Sequence, residues 1–121
     1  MRPKPVVSAT GRHARYGRPR NATRRVAEIR LLRRAESDLI AIAEYTVAQF
    51  GTMQAHSYRD GLLATLDALA EHPLMGSNQG HIRPGLRRHV YESHTIYYRP
   101  TANGVVIQRI LGPGQDPLRE L

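Results

Sequence analysis

The residues of this chain that could take part in acid–base chemistry are concentrated between positions 82 and 111. General acid–base catalysis needs a base to take up a proton, an acid to protonate the leaving group, and cations where negative charge develops. The acid–base candidates here are His89, Tyr91, His94, Tyr97 and Tyr98, and the cationic candidates are Arg83, Arg87, Arg88, Arg99 and Arg109.

This set of residues is incomplete for catalysis. The only lysine is Lys4, far from the segment, and arginine stays protonated and cannot serve as a base. The last ten residues, 112–121, contain no His, Lys or Tyr. His94 and Tyr98 fall on one face of a predicted strand, and we interpret them as packed or edge residues rather than a catalytic pair. No phosphate-binding glycine loop, nucleophile elbow or metal-ligand spacing is visible in the sequence. We therefore predict no catalytic residue, no metal and no cofactor.

Hydrophobic periodicity predicts the elements that would carry these residues. An alternating stretch that starts at Val26 predicts a strand, and helical periods predict two helices over Glu36–Phe50 and Met53–Glu71. Gly51 is predicted to end the first helix and Thr52 to cap the second. Two helices joined so tightly must form an antiparallel hairpin. The stripe expected to be buried on the first helix comprises Leu39, Ile42, Ala43, Val47 and Phe50.

Three further strands are predicted between Ile82 and Leu111, joined by turns at Glu92-Ser93 and at Asn103-Gly104. The order of elements predicts an α+β domain, β-α-α-β-β-β, in which the helical hairpin packs on a small antiparallel sheet. In the last strand, regular alternation is expected to place one set of side chains on each face. The two expected sets are Val105, Ile107, Arg109 and Leu111, and Val106, Gln108 and Ile110.

The formal charge of +8 comes entirely from residues 1–25, which carry eight Lys or Arg and no acid. Residues 26–121 carry ten arginines and ten Asp or Glu, so we expect a neutral domain without a basic surface. The leader 1–25 has no helical or strand period and several Pro and Gly, which predicts disorder. Any contact with nucleic acid is expected only indirectly or through this leader.

Composition predicts the domain organisation of the chain and its cellular location. We predict a disordered basic leader over 1–25 and a single folded domain over 26–121. The sequence has no cysteine and no apolar stretch long enough to span a bilayer, so a cytoplasmic protein without a membrane association is expected.

The leader is expected to be dispensable for folding, because it contributes no periodic apolar residue to the predicted core. A chain that starts at Ala22 should keep the melting temperature of the full chain. Thermal denaturation followed by circular dichroism checks this expectation. A decrease of several degrees would mean that the leader docks on the domain.

Several short patterns, in their joint order, resemble the ParE branch of the RelE/ParE toxins over roughly residues 26–121. Each pattern alone is weak, and the resemblance depends on their common order and spacing. They are Arg34-Ala35-Glu36-Ser37-Asp38-Leu39, Gln49-Phe50-Gly51 with Gln54-Ala55, Gly61-Leu62-Leu63, Leu69-Ala70-Glu71-His72-Pro73, Ile82-Arg83-Pro84-Gly85-Leu86-Arg87-Arg88, Ser93-His94 with Tyr98-Arg99, and Arg109-Ile110-Leu111 with Asp116-Pro117.

This resemblance implies the toxin of a bacterial type II toxin–antitoxin pair, bound and neutralised by a ParD-like antitoxin in a hetero-oligomer. Its implied target is DNA gyrase, inhibited by protein–protein contact. The alternative is a ribosome-dependent mRNA endonuclease, as in the related RelE branch. The expected neutral charge of the domain favours gyrase, since phosphate contacts dominate affinity for RNA. Candidate contact residues for the partner or target are Arg83, Arg87, Arg88, His94, Tyr98, Arg99, Arg109 and Arg119.

Overall fold

A helical hairpin packs against one face of a five-stranded sheet in the computed structural model, which describes residues 26–121. The expectations for the leader 1–25 lie outside these residues. The elements, in chain order, are β1 (Glu28–Leu31), α1 (Arg33–Phe50), α2 (Thr52–Glu71), β2 (Ser77–Asn78), β3 (Arg87–Tyr91), β4 (His94–Pro100), β5 (Gly104–Leu111) and α3 (Pro117–Glu120).

The two helices meet at Gly51, as predicted. Gly51 has a φ of 90°, a conformation that favours glycine, and its N–H donates a 2.9 Å bond to the carbonyl of Val47. The prediction that Thr52 caps the second helix is wrong. Thr52 is already the first residue of α2, the N-cap position is Gly51, and no side chain caps that helix end.

The sheet confirms the predicted α+β class but is mixed rather than purely antiparallel. Its strand order is β1-β5-β4-β3-β2, and β1 pairs in parallel with β5 while the other pairs are antiparallel. Alternation in β1 indicates which side chains are buried, but it carries no information on which strand lies beside it or in which direction. The short elements β2 and α3 were not predicted, because two and four residues are too few to show a period.

Gly104 allows β1 to lie directly against β5. A Cβ atom at this position would meet the backbone of Glu28, including its nitrogen at 2.7 Å and its carbonyl carbon at 2.8 Å. Such a contact is with backbone and cannot be relieved by a side-chain rotation. The Asn103-Gly104 turn therefore also serves the parallel pairing of β1.

A bulge in β5 overturns the predicted faces of that strand. Tyr97 lies opposite Arg109 and the next residue, Tyr98, lies opposite Ile107, so Gln108 is an extra residue. Beyond the bulge the two faces exchange. Ile110 joins Val105 and Ile107 under the hairpin, and Leu111 lies on the opposite face with Leu86 and Tyr97.

Both faces of the sheet therefore have a buried cluster. The inner face, under the hairpin, holds the larger cluster, in which Leu62, Leu66 and Leu69 of α2 contact the sheet with no exposed surface. The opposite face, which we call the outer face, holds the smaller one, and Ile82 and Leu121 pack against it. The outer face is thus partly covered by the loop 79–86 and by the C-terminal residue.

Candidate functional site

Arg109 was predicted to be a surface contact, but it is a buried residue that joins three parts of the fold. It is 8% exposed, and its Nε and Nη2 donate 2.8 Å bonds to the two carboxylate oxygens of Asp38. Asp38 also accepts a 2.8 Å bond from the backbone N–H of Ile110, at the edge of β5 beyond the end of β1. The Arg109 Nη1 donates to the carbonyl of Glu120 at 2.9 Å. The bonds to Asp38 raise the pKa of the Arg109 guanidinium against the opposing effect of burial.

Tyr98 and Arg87 also serve the fold rather than a free surface. Tyr98 has no exposed surface, and its hydroxyl donates a 2.7 Å bond to the carbonyl of Pro73 and accepts a 2.8 Å bond from the N–H of Gly76. The Arg87 Nε donates a 3.0 Å bond to the carbonyl of Gly76. Together these two side chains fix the loop that leads from α2 into β2. The burial of Tyr98 agrees with its interpretation as a packed residue, whereas the expectation that Arg109 is an exposed contact is wrong.

The remaining arginine candidates lie on or near the surface. Arg83, Arg88 and Arg119 are exposed, and Arg99 is half-buried. The Nε of Arg99 is buried and has no hydrogen-bond partner among residues 26–121. The structure therefore keeps these four as candidates for contact with another molecule.

His94, the remaining candidate, lies in a cleft between the hairpin and the β3–β4 turn. The Tyr58 hydroxyl lies 2.7 Å from the Nδ1 of His94, and the two rings are 5.6 Å apart in an edge-on arrangement. The ring of Tyr91 packs edge-on against Tyr58 at 5.1 Å. Gly61 on α2 leaves the space that the Tyr91 hydroxyl occupies, because a Cβ atom there would clash with it. Burial lowers the pKa of His94, although the charge of Asp38 acts in the opposite direction.

The cleft has a volume of about 910 Å³ and is open to solvent along α1 and α2. Its rim consists of apolar side chains with large exposed fractions: 61% for Tyr45, 59% for Phe50 and 83% for Met53. A smaller depression of about 200 Å³ shares Tyr45 and His94 with it. The cleft is lined by Tyr45, Thr46, Phe50, Met53, Gln54, Ser57, Tyr58, Tyr91, Glu92, Ser93 and His94, and the depression by Asp38, Ala41, Ile42, Tyr45, His94, Ile110 and Gln115.

The charged residues that line these two cavities are acidic. They are Glu92 in the cleft and Asp38 in the depression, and no arginine of the described chain lines either one. Asp38 is already neutralised by Arg109. The cleft therefore presents aromatic and apolar surface without a cation that could stabilise a phosphate.

Sequence reasoning missed this cleft because it assigned Phe50 and Val47 to the buried stripe of the first helix. Both are exposed in the structure, at 59% and 44%. They lie in the last turn of α1, next to Gly51 at the hairpin tip. The available signal was Tyr45, outside the stripe predicted for the first helix, and Met53, at the start of the second helix. Together with Phe50 these are too many large apolar residues for the tip of a hairpin in a monomer.

The lowered pKa of His94 predicts a pH-dependent contribution to stability. Below its ordinary value of 6.5 the unfolded chain takes up a proton that the folded chain resists, so the free energy of unfolding should fall as the pH falls below about 6.5. His94→Gln should reduce the loss of melting temperature between pH 7.5 and pH 5. The other histidines of residues 26–121 stay in both proteins and provide the baseline. An unchanged pH profile would show that the buried environment of His94 does not affect its protonation.

No helix within residues 26–121 is long and apolar enough to cross a membrane. No group of three or more metal-ligating side chains occurs in the same part of the chain.

Comparison with known proteins gives consistent matches. A family model described as the ParE toxin of the type II toxin-antitoxin system parDE matches residues 29–117. Toxin ParE1 of Caulobacter vibrioides is 43% identical over 70 residues, which cover 58% of this chain and 73% of that toxin. Toxin ParE1 of Mycobacterium tuberculosis is 34% identical over 88 residues, which cover 72% of this chain and 90% of that toxin. The solved structure of a chromosomal ParDE TA system from P. aeruginosa shares the fold, with a TM-score of 0.61 and 22% identity over 71% of this chain and 95% of that one. The family match spans nearly all of the folded part, and the chain belongs to the ParE toxins of type II toxin–antitoxin systems.

Proposed function

We propose that this toxin inhibits growth by binding DNA gyrase through a protein surface, and that a ParD-like antitoxin neutralises it. The observation that carries the proposal is the cleft around His94, which combines exposed aromatic and apolar side chains with an absence of lining cations. Such a surface suits contact with another protein, where aromatic and Met side chains carry much of the binding energy.

The geometry argues against cleavage of RNA by this toxin. Tyr97 and Tyr98, two of the acid–base candidates, are 3% and 0% exposed, and Arg109 is held by Asp38. His94 is accessible from the cleft, but the only formal charge on the cleft wall is the carboxylate of Glu92. A phosphodiester placed beside His94 would meet a negative charge and no cation that stabilises its transition state.

The exposed aromatic and apolar side chains of the cleft also support binding of the antitoxin there. The exposed rim formed by Tyr45, Phe50 and Met53 would be covered in a complex, which removes apolar surface from water. A cleft between two helices and a strand turn can accept an amphipathic helix, whose anchors at i, i+3, i+4 and i+7 would insert along it. The partner expected from this geometry is therefore a helical segment with apolar anchors. Binding of the antitoxin at this site would block any target that uses the same rim.

The test of the gyrase proposal uses purified toxin that comprises residues 1–121 in two assays run side by side. We expect the toxin to inhibit supercoiling of relaxed plasmid by gyrase, or to trap cleaved DNA on the enzyme. We also expect messenger RNA in a reconstituted translation reaction to stay intact. Addition of the antitoxin encoded beside the toxin should restore supercoiling in proportion to the amount added.

Cleavage of messenger RNA without inhibition of gyrase would contradict the proposal. Codon-specific cuts in messenger RNA, with supercoiling unaffected, would identify an endonuclease and would call for a search for its base near the exposed arginines. A heat-denatured sample and a topoisomerase I reaction control for effects of a basic polypeptide on the plasmid itself. Toxin that is harmless in cells and does not bind the neighbouring antitoxin would contradict both parts of the proposal.

A further inference from the structure

The equal numbers of arginine and acidic residues in residues 26–121 conceal an uneven distribution. The helical hairpin, together with Arg87 of β3, carries six acids and four arginines, and the tenth acid, Glu92, lies in the β3–β4 turn. The outer face of the sheet, the loop 79–86 and the C-terminal residues 116–121, of which Leu121 packs on the outer-face cluster, carry three acids and six arginines. Those six are Arg30, Arg83, Arg88, Arg99, Arg109 and Arg119, and the three acids are Glu28, Asp116 and Glu120. Net charge alone therefore does not describe the surface of this domain.

The strand registers bring these arginines together. Arg88 lies opposite Tyr97, and Tyr97 belongs to the outer-face cluster, so Arg88 projects from the same face. Arg99 follows two residues after Tyr97 on β4 and lies opposite Val106, which in turn lies opposite Arg30 of β1. Side chains diagonal across neighbouring strands are about 7–8 Å apart, so Arg88 and Arg99 can reach one ligand.

The acids on this side leave most of these arginines without a neutralising partner. The carboxylate of Glu120 lies 3.5 Å from Arg109, the residue already paired with Asp38. Asp116 accepts a 3.0 Å bond from the N–H of Leu118 at the start of α3. Arg83, Arg88 and Arg119 are exposed, and the buried Nε of Arg99 is unsatisfied among residues 26–121. We call the four residues Arg83, Arg88, Arg99 and Arg119 the outer basic surface.

We propose that the outer basic surface binds the phosphates of duplex DNA directly. Its cations are all arginines, whose forked guanidinium groups pair well with phosphate oxygens. Its aromatic residue, Tyr97, is only 3% exposed and cannot stack on a base. Proteins that bind single strands depend on such stacking, whereas a duplex can be held through its backbone alone. The surface lies on the opposite side of the sheet from the hairpin, so the antitoxin cleft and the DNA contact would not overlap.

This inference goes beyond the proposed contact with gyrase, and its test needs no gyrase. Binding of the full chain to a fluorescein-labelled 20-base-pair duplex of mixed sequence is measured by fluorescence anisotropy at several salt concentrations. The double variant Arg88→Gln, Arg119→Gln is compared with the wild type, so that the eight positive charges of residues 1–25 contribute equally to both. Each phosphate contact contributes about 0.9 to the slope of log affinity against log salt, so we expect the slope to fall by about two. The affinity near 0.1 M salt should fall roughly tenfold or more.

The matched control is the double variant Arg34→Gln, Arg59→Gln. It removes the same charge from two exposed arginines of the hairpin. The proposal requires this variant to keep most of the affinity, with unchanged melting temperatures for both variants. Equal losses in the two variants would show only long-range attraction and would overturn the proposal. Intact DNA binding by the outer-face variant, with weaker binding to the antitoxin or to gyrase, would instead assign the surface to a protein partner.

Discussion

Asp38→Ala is expected to destabilise the fold by about 3–5 kcal/mol, the range measured when one member of a buried ion pair is removed. The side chains of Asp38 and Arg109 are 12% and 9% exposed, so solvent cannot replace the lost partner. The substitution also removes the acceptor for the backbone N–H of Ile110. Arg109 would keep only the more distant carboxylate of Glu120, at 3.5 Å, as a counter-charge, and this weaker pairing and the unpaired backbone donor both add to the cost. Urea denaturation followed by circular dichroism measures the change.

Two further substitutions separate the charge from the hydrogen bonds. Asp38→Asn keeps an acceptor oxygen of the same shape, so it should cost less than Asp38→Ala. Arg119→Ala removes an exposed arginine from the neighbouring helix α3 and should change stability by no more than about 0.5 kcal/mol. If Asp38→Ala and Arg119→Ala gave similar losses, the ion pair would have no special role in the fold.

The partner of Asp38 could not be predicted from the sequence. Asp38 lies near the start of a helix, where an acid also suits the positive end of the helix dipole, and the sequence offers that local explanation first. The residue that pairs with it lies 71 positions later, and their proximity depends on β1 pairing in parallel with β5. Sequence patterns report local periods and which faces are apolar. They do not report which strand lies beside which.

The positions of the two long helices were predicted more accurately than the faces of individual strand residues. Long amphipathic helices repeat their signal over several turns, so α1 and α2 could be located within a few residues. The bulge at Gln108 adds a single residue and leaves no composition signal, yet it reverses the face of Ile110 and Leu111. The same bulge explains why Arg109 was wrongly expected on one face with Val105 and Ile107.

The sequence prediction of a neutral domain shows the limit of charge counting. Ten arginines and ten acids give a net charge of zero, but their positions decide the field that a ligand meets. The sequence alone does not show which charged residues share a surface. The sheet register is needed to decide which arginines lie on the same face and away from the acids of the hairpin. Arg88, Arg99 and Arg30 come from three different strands, and only the fold places them on one face.

The surface that binds the antitoxin is expected to be the rim of the cleft, where Tyr45 and Phe50 expose 61% and 59% of their area. Large aromatic side chains at the centre of an interface often cost about 2 kcal/mol or more when cut back to alanine, which is roughly a 30-fold loss of affinity. Phe50→Ala and Tyr45→Ala should therefore each weaken binding to the ParD-like antitoxin by this amount, chiefly through faster dissociation. Surface plasmon resonance with immobilised antitoxin measures both rates.

These two substitutions should leave the folded state almost unchanged, because the side chains contact little of the core in the free toxin. Melting temperatures of the variants provide that check. The control is Leu118→Ala, which removes an apolar side chain that is 73% exposed but lies on α3, outside the cleft. We expect Leu118→Ala to bind the antitoxin with the affinity of the wild type. If all three variants bound equally well, the antitoxin would use another face of the toxin, and the exposed rim at the hairpin tip would need a different partner.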